Sequence, residues 1–206
     1  MRSLLLVVAM FATVCAGCSA EAPGQPLPAP SATKTVPSIS TSQTGQAPPI
    51  NSLQLDLASY IHRVCDLLTP AQLTSFAIRS PGVPHDESGI GHVCTWKPPD
   101  STTGVSFDLT VLSDIGYGWE GIYQRKNRWA KFENAGEING YPAVHLLATK
   151  IDEETGICLT AAGVNRDVVF EIDVNVNDIH SAAYKMPCSV SDRVAGLVID
   201  TLKGGR

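Results

Sequence analysis

Residues 168–177 read VVFEIDVNVN, and their alternation decides the fold. Val168, Phe170, Ile172, Val174 and Val176 recur at every second position, with Glu171, Asp173, Asn175 and Asn177 between them. Side chains on a strand alternate between its two faces, so the apolar set marks a face turned to a core. The acidic and amide set marks a face turned to water. A strand covered on both sides, as in parallel sheets, reads instead as a continuous apolar run. The stretch therefore predicts an antiparallel sheet with one solvated side.

Working outward, Asn165-Arg166-Asp167 forms a turn back to a strand over 157–164, which Glu154-Thr155-Gly156 precedes as another turn. Tyr141–Lys150 reads as a strand, and Asn139-Gly140 as the hairpin turn joining it to a strand over 132–138. Val105, Phe107, Leu109 and Val111 repeat the alternation, and Val93–Lys97 is a short strand. Helical spacing is expected over Leu53–Val64, from apolar residues at 53, 57, 60, 61 and 64. Thr69-Pro70-Ala71-Gln72 is a helix start with its own cap and leads to about Ala77. Trp119–Ala130 and Ser191–Lys203 complete the helices, with Gly204-Gly205 ending the last. Strands joined by short turns, with helices at both ends and one in the middle, make the class α+β. The expectation is an antiparallel sheet of about five to six strands whose apolar face those helices cover, all within one domain over 52–206.

The chain begins differently. Arg2 is followed by an uncharged run, Leu4–Val14, and then by Cys15-Ala16-Gly17-Cys18. That is the n-region and h-region of an export signal, too short for a membrane span of roughly 20 residues. Small residues before Cys18 resemble the bacterial lipobox, although Cys15 stands where leucine is usual. The resemblance implies a signal peptide over 1–17, a diacylglyceryl group on Cys18, and anchorage at the extracytoplasmic face of the cell membrane. Plain secretion after Ala20 or Ala22, or an uncleaved anchor, are the alternatives. Residues 18–51 then hold seven of the fourteen prolines and only Glu21 and Lys34 as charges. Such a composition cannot offset chain entropy by burial, so the segment is expected to be a disordered tether.

The formal charge of −5 has its acidic residues scattered, which excludes a nucleic-acid footprint. Arg125-Lys126-Asn127-Arg128, the one basic cluster, reads as the solvated face of a helix. Cys65, Cys94, Cys158 and Cys188 form an even set in an exported chain, which implies two disulfides. Three pairings are possible. Cys65–Cys94 and Cys158–Cys188 close the shorter loops and would each pin a helix to the sheet. No C-x-x-C spacing exists among these four to point to zinc, and no cofactor motif is present.

The order VCDLLTPAQL, CTW, INGYPAV and MPCSVSDRVAGLVIDTL, over about residues 60–203, is similar to a family of actinobacterial exported lipoproteins that carry a domain of unknown function. One departure is Arg63-Val64-Cys65, where the family often has Asp-Pro-Cys. The resemblance implies a small α+β sandwich comparable to PsbP-like domains. It carries no agreed activity, so no catalytic residue transfers.

The residues suggest little chemistry of their own. His85, Asp86, Glu87 and His92 fall in the Gly- and Pro-containing PHDESGIGH and read as a solvated loop. His145 shares a strand face with Tyr141, Ala143 and Leu147 and reads as a satisfied core or edge histidine. No Gly-x-Ser-x-Gly context supports a nucleophile. The aromatic segment YGWEGIYQRKNRW reads first as a helix with a buried aromatic face. Its second reading is a binding surface made of Tyr117, Trp119, Tyr123, Arg128 and Trp129. Three functions stay open. The first is a non-enzymatic binding or accessory lipoprotein for an envelope lipid, glycan or protein. The second is an envelope enzyme with a polar site, and the third a scaffold.

Overall fold

The computed structural model describes residues 46–100, 102–113, 116 and 118–204. Cys18, most of the expected tether and Tyr117 lie outside the described residues. Seven strands form one antiparallel sheet: β1 (Val83–Glu87), β2 (Gly91–Trp96), β3 (Val105–Leu112), β4 (Lys131–Ile138), β5 (Tyr141–Leu147), β6 (Ile157–Ala162) and β7 (Val169–Val176). Their spatial order is β1-β2-β3-β7-β6-β5-β4, so two meanders meet where β3 pairs with β7. Asn139 (φ 47°) and Gly140 (φ 83°) both take the left-handed conformation that a two-residue hairpin between β4 and β5 requires.

The count exceeds the expected five to six because β1 replaces the expected loop. Residues 83–87 pair with β2 in a hairpin, Val83 opposite Thr95 and Glu87 opposite Gly91. All five residues of β1 are exposed, so no apolar alternation marks it. Its Pro84 is tolerated because an edge strand has one side with no ladder to complete.

Helix α3 (Pro187–Leu202) packs on the face carrying Phe170, Ile172 and Val174. Val194, Ala195, Val198 and Ile199 are completely buried there. Ser191 Oγ, also buried, donates to the Ile172 carbonyl at 2.9 Å, and the buried Thr201 hydroxyl donates to the Leu197 carbonyl at 3.1 Å, so both buried hydroxyls of the helix are satisfied. Helix α1 (Pro70–Thr74) joins this layer, and its Thr69 and Gln72 form the reciprocal cap expected from their spacing.

The expected Leu53–Val64 helix is absent. Only two 3₁₀ turns form, Ala58–Tyr60 and Val64–Leu67. Upstream, the backbone bonds to the sheet instead of to itself. Leu55 N–H donates to the Val164 carbonyl at 3.0 Å, and Tyr141 Oη donates to the Leu53 carbonyl at 2.6 Å. Leu55 and Leu57, two apart, are the residues buried, as in an extended segment.

The sheet's second face is not simply solvated. Leu112, Val144, Leu146, Ala161 and Val169 make a second buried cluster with Trp119 and Ile122 of helix α2 (Trp119–Gln124). The central helix therefore covers the face opposite α3, not the same face. It is also shorter than expected, passing into a 3₁₀ turn at Lys126–Arg128. Residues upstream of position 52 pack here as well: Trp119 Nε1 donates to the Pro48 carbonyl at 2.9 Å, and Ala47 N–H to Glu120 at 3.2 Å.

Both disulfides have the expected pairing. Cys65–Cys94 (Cα–Cα 5.2 Å) ties the second 3₁₀ turn to β2, and Cys158–Cys188 (5.0 Å) ties the start of α3 to β6.

Candidate functional site: a cavity and an acidic groove on the second sheet face

Strand period two sets which residues reach the second face. Odd-numbered residues of β7 point there, placing Val169, Glu171 and Asp173 in a row. Val169 sits under α2, and Glu171 and Asp173 run out beyond it. On β3, Asp108 lies directly opposite Asp173, and Thr110 opposite Glu171. On β1, His85 and Glu87 reach the same side, since His85 is the partner of Val93.

Two adjoining depressions result. A cavity of about 330 Å³ is walled by Ile90, Leu112, Ile122, Trp129 and Ala148, with Glu171 and the side chains of Arg125 and Arg128 at its rim. A groove of about 320 Å³ shares Ile90, Trp129, Ala148 and Glu171 with it and carries Glu87, Asp108, Asp152 and Asp173. Among the described residues, His85 is the only basic side chain lining that groove. The cavity thus combines apolar walls with two arginines, and the groove sets its carboxylates among apolar residues such as Val93, Leu146 and Leu159.

Electrostatics follow from the placement. Burial, then the neighbouring charges of Asp173 and Glu87, pushes the Glu171 carboxyl up to about 7. Burial also raises Asp173, to about 6, helped by Asp108 and Asp152. No described residue donates a hydrogen bond to Glu171 or pairs with it. Asp152, by contrast, is spoken for: it accepts from Thr149 N–H at 2.8 Å and from the Thr149 hydroxyl.

The aromatic segment divides by role. Trp119 is 3% exposed and serves packing. Tyr123 stands edge-on between Trp119 and Phe132, with ring centroids 5.2 and 5.0 Å away. Its hydroxyl is pushed up to about 12 by burial and the Glu120 charge. Trp129 and Arg128 line the cavity. Arg125 is not a freely solvated helix residue; its guanidinium donates to the carbonyls of Gly116 and Gly121 and closes the end of α2.

The other polar clusters are consumed internally. His92 Nδ1 and Asp86 Oδ1 lie 2.6 Å apart across the β1–β2 hairpin. His145 is the satisfied histidine its strand position implies, its Nε2 2.8 Å from Asp192 Oδ1, which Thr160 also reaches at 3.0 Å. His145, Cys158 and Cys188 bring possible metal-ligating atoms within 4.8 Å, but the two sulfurs are bonded to each other. Glu171 and Asp173 were legible as a polar strand face, on which Asp173 is exposed, but the partial enclosure of Glu171 was not. Cross-strand pairing creates it, and no local signal encodes which strand β7 meets.

Residues 13–201 match a family described as protein of unknown function (DUF3558). The chain belongs to this family. The match to DUF3558 covers all seven strands and both disulfides, and it brings no assigned chemistry to the site. No curated protein and no solved structure matches the chain. Among the described residues, no helix is long and apolar enough to cross a membrane.

Proposed function

We propose that this DUF3558 chain is a non-enzymatic binding or accessory module of the bacterial envelope. Acylated Cys18 holds it at the extracytoplasmic face of the cell membrane. A small, largely apolar ligand occupies the cavity between α2 and the sheet. A layer arrangement of the PsbP-like kind belongs to the same reading. The observation that carries it is the cavity itself. Ligand sites are concave, mostly apolar and a few hundred Å³ in volume, with few polar groups placed at the edge. The walls of Ile90, Leu112, Ile122 and Trp129, with Glu171 at one end, have that character. The lipobox-like Ala16-Gly17-Cys18 and the two disulfides support the location.

The neutral fluorophore N-phenyl-1-naphthylamine tests the cavity. It should bind one equivalent of the folded protein with enhanced emission. Trp129→Ala, which removes a wall, and Ala148→Trp, which fills the mouth, should each weaken that binding about tenfold or more. Saturable binding that neither substitution alters, or no binding at all, overturns the cavity reading. The anchor is tested separately: Cys18→Ala should leave the protein unacylated by mass spectrometry and free of the membrane fraction.

An enzymatic reading has one observation in its favour, the Glu171 carboxyl held near 7, where an acid–base group works best. It requires turnover of a bound compound that Glu171→Gln abolishes.

A further inference from the structure

We infer that the ligand of this site is an amphipathic organic cation, its apolar body in the cavity under α2 and its protonated amine in the groove at Glu171. The inference deepens the binding reading and rests on it.

The first ground is register. Asp108 and Asp173 face each other directly on neighbouring strands. Like charges in that position destabilise a sheet, and a threonine pair would avoid the cost. No described lysine or arginine answers them, although Lys131, on the far edge strand, is engaged with Glu133 and Glu153, both at 2.8 Å. The second ground is Glu171. It belongs to the apolar cavity and to the acidic groove at once, is only partly reached by solvent, and receives no hydrogen bond from a described residue. A buried polar group without a partner costs free energy that a donor arriving with the ligand recovers. The third ground is polarity of the whole site. Glu87, Asp108, Asp152 and Asp173 line the groove and not the cavity, whose walls are mainly apolar, which is complementary to a molecule with one cationic end. Arg125 and Arg128 line the cavity but not the groove, and Arg125 is tied to backbone carbonyls.

Three probes of equal chain length separate the charge types: octylamine, octanol and octanoate, each displacing N-phenyl-1-naphthylamine from the full domain. At pH 8 octylamine should displace it at about a tenth of the octanol concentration, and octanoate should be the weakest. Glu171→Gln should remove most of the amine's advantage over octanol. At pH 5 the advantage should also shrink, because Glu171 and Asp173 take up protons below about 7 and 6. Glu87 and His85 on β1, Asp108 on β3 and Asp152 before β6 face the same space. Octanol or octanoate displacing as well as octylamine overturns the inference and leaves the cavity reading standing. An amine advantage that survives in the double variant Glu171→Gln, Asp173→Asn also overturns it. Absence of fluorophore binding removes both.

Discussion

Glu171→Gln should make the protein more stable at neutral and alkaline pH, which is unusual for a change at a half-buried strand position. The folded protein holds the Glu171 proton up to about pH 7, whereas an unperturbed glutamate loses it near 4.5. The native state therefore binds more protons than the unfolded chain between those values, and stability falls as pH rises through that interval. Each pKa unit corresponds to about 1.4 kcal/mol, so the full interval amounts to about 3 kcal/mol. Water at the groove mouth screens part of this, and about 2 kcal/mol is the expected destabilisation at pH 8. Glutamine keeps the shape and removes the charge. Urea unfolding of wild type and Glu171→Gln at pH 4, 6 and 8 measures the difference directly. The variant should gain about 2 kcal/mol at pH 8 and essentially nothing at pH 4, where the carboxyl is neutral in both states. Equal or lower stability of the variant at pH 8 would refute the argument, because it would mean the folded site already stabilises the carboxylate. A saturating concentration of octylamine should narrow the gap, by giving the ionised wild type the partner it lacks.

Replacing Cys158 and Cys188 together by serine opens a loop of sequence separation 30 and should cost about 3 kcal/mol in urea unfolding. Peptide mapping without reductant should still recover the Cys65–Cys94 link in that variant. Gly163→Ala would set a Cβ 2.5 Å from Cδ2 of the Trp119 ring, so the indole and α2 must shift. The expected cost is about 1–3 kcal/mol, with an altered near-ultraviolet dichroism signal and weaker fluorophore binding. Unchanged binding alongside the altered signal would show that α2 does not shape the cavity.

The parts of the fold that could be read from sequence are those with strong local signals. The alternation in β3 and β7 places the residues that α3 covers. Thr69-Pro70 and Asn139-Gly140 mark a helix start and a hairpin through backbone preferences that need no tertiary context. The missed elements lack such signals. β1 has no buried side chain to give it a period, since as an edge strand it is held through its backbone pairing with β2. Over Leu53–Val64 an apolar spacing compatible with a helix competed with backbone bonds to the end of the sheet, and the tertiary bonds prevailed. The disulfides were legible because the cysteine count is even and the pairing that occurs closes the shorter loops.

The site was half legible for a related reason. Trp129 and Arg128 stand out by residue type, and Glu171 and Asp173 by their place in an alternating strand. In sequence that alternation means one buried face and one wet face. The second face becomes a cavity only because Val144, Leu146 and Ala161 of other strands join Val169 there and α2 settles on them. The rest of that face then stays open beside an apolar wall, and solvent is partly displaced from Glu171, while Asp173 beside it stays exposed. The decisive neighbour, Asp108, is 65 residues from Asp173 in the chain and meets it only through the β3–β7 pairing that joins the two meanders. A purely structural role would be served better there by uncharged residues, since repulsion and desolvation both work against the native state. Such a cost at one end of an apolar cavity is intelligible where a cationic ligand arrives to offset it, and the amine, alcohol and carboxylate probes decide that point.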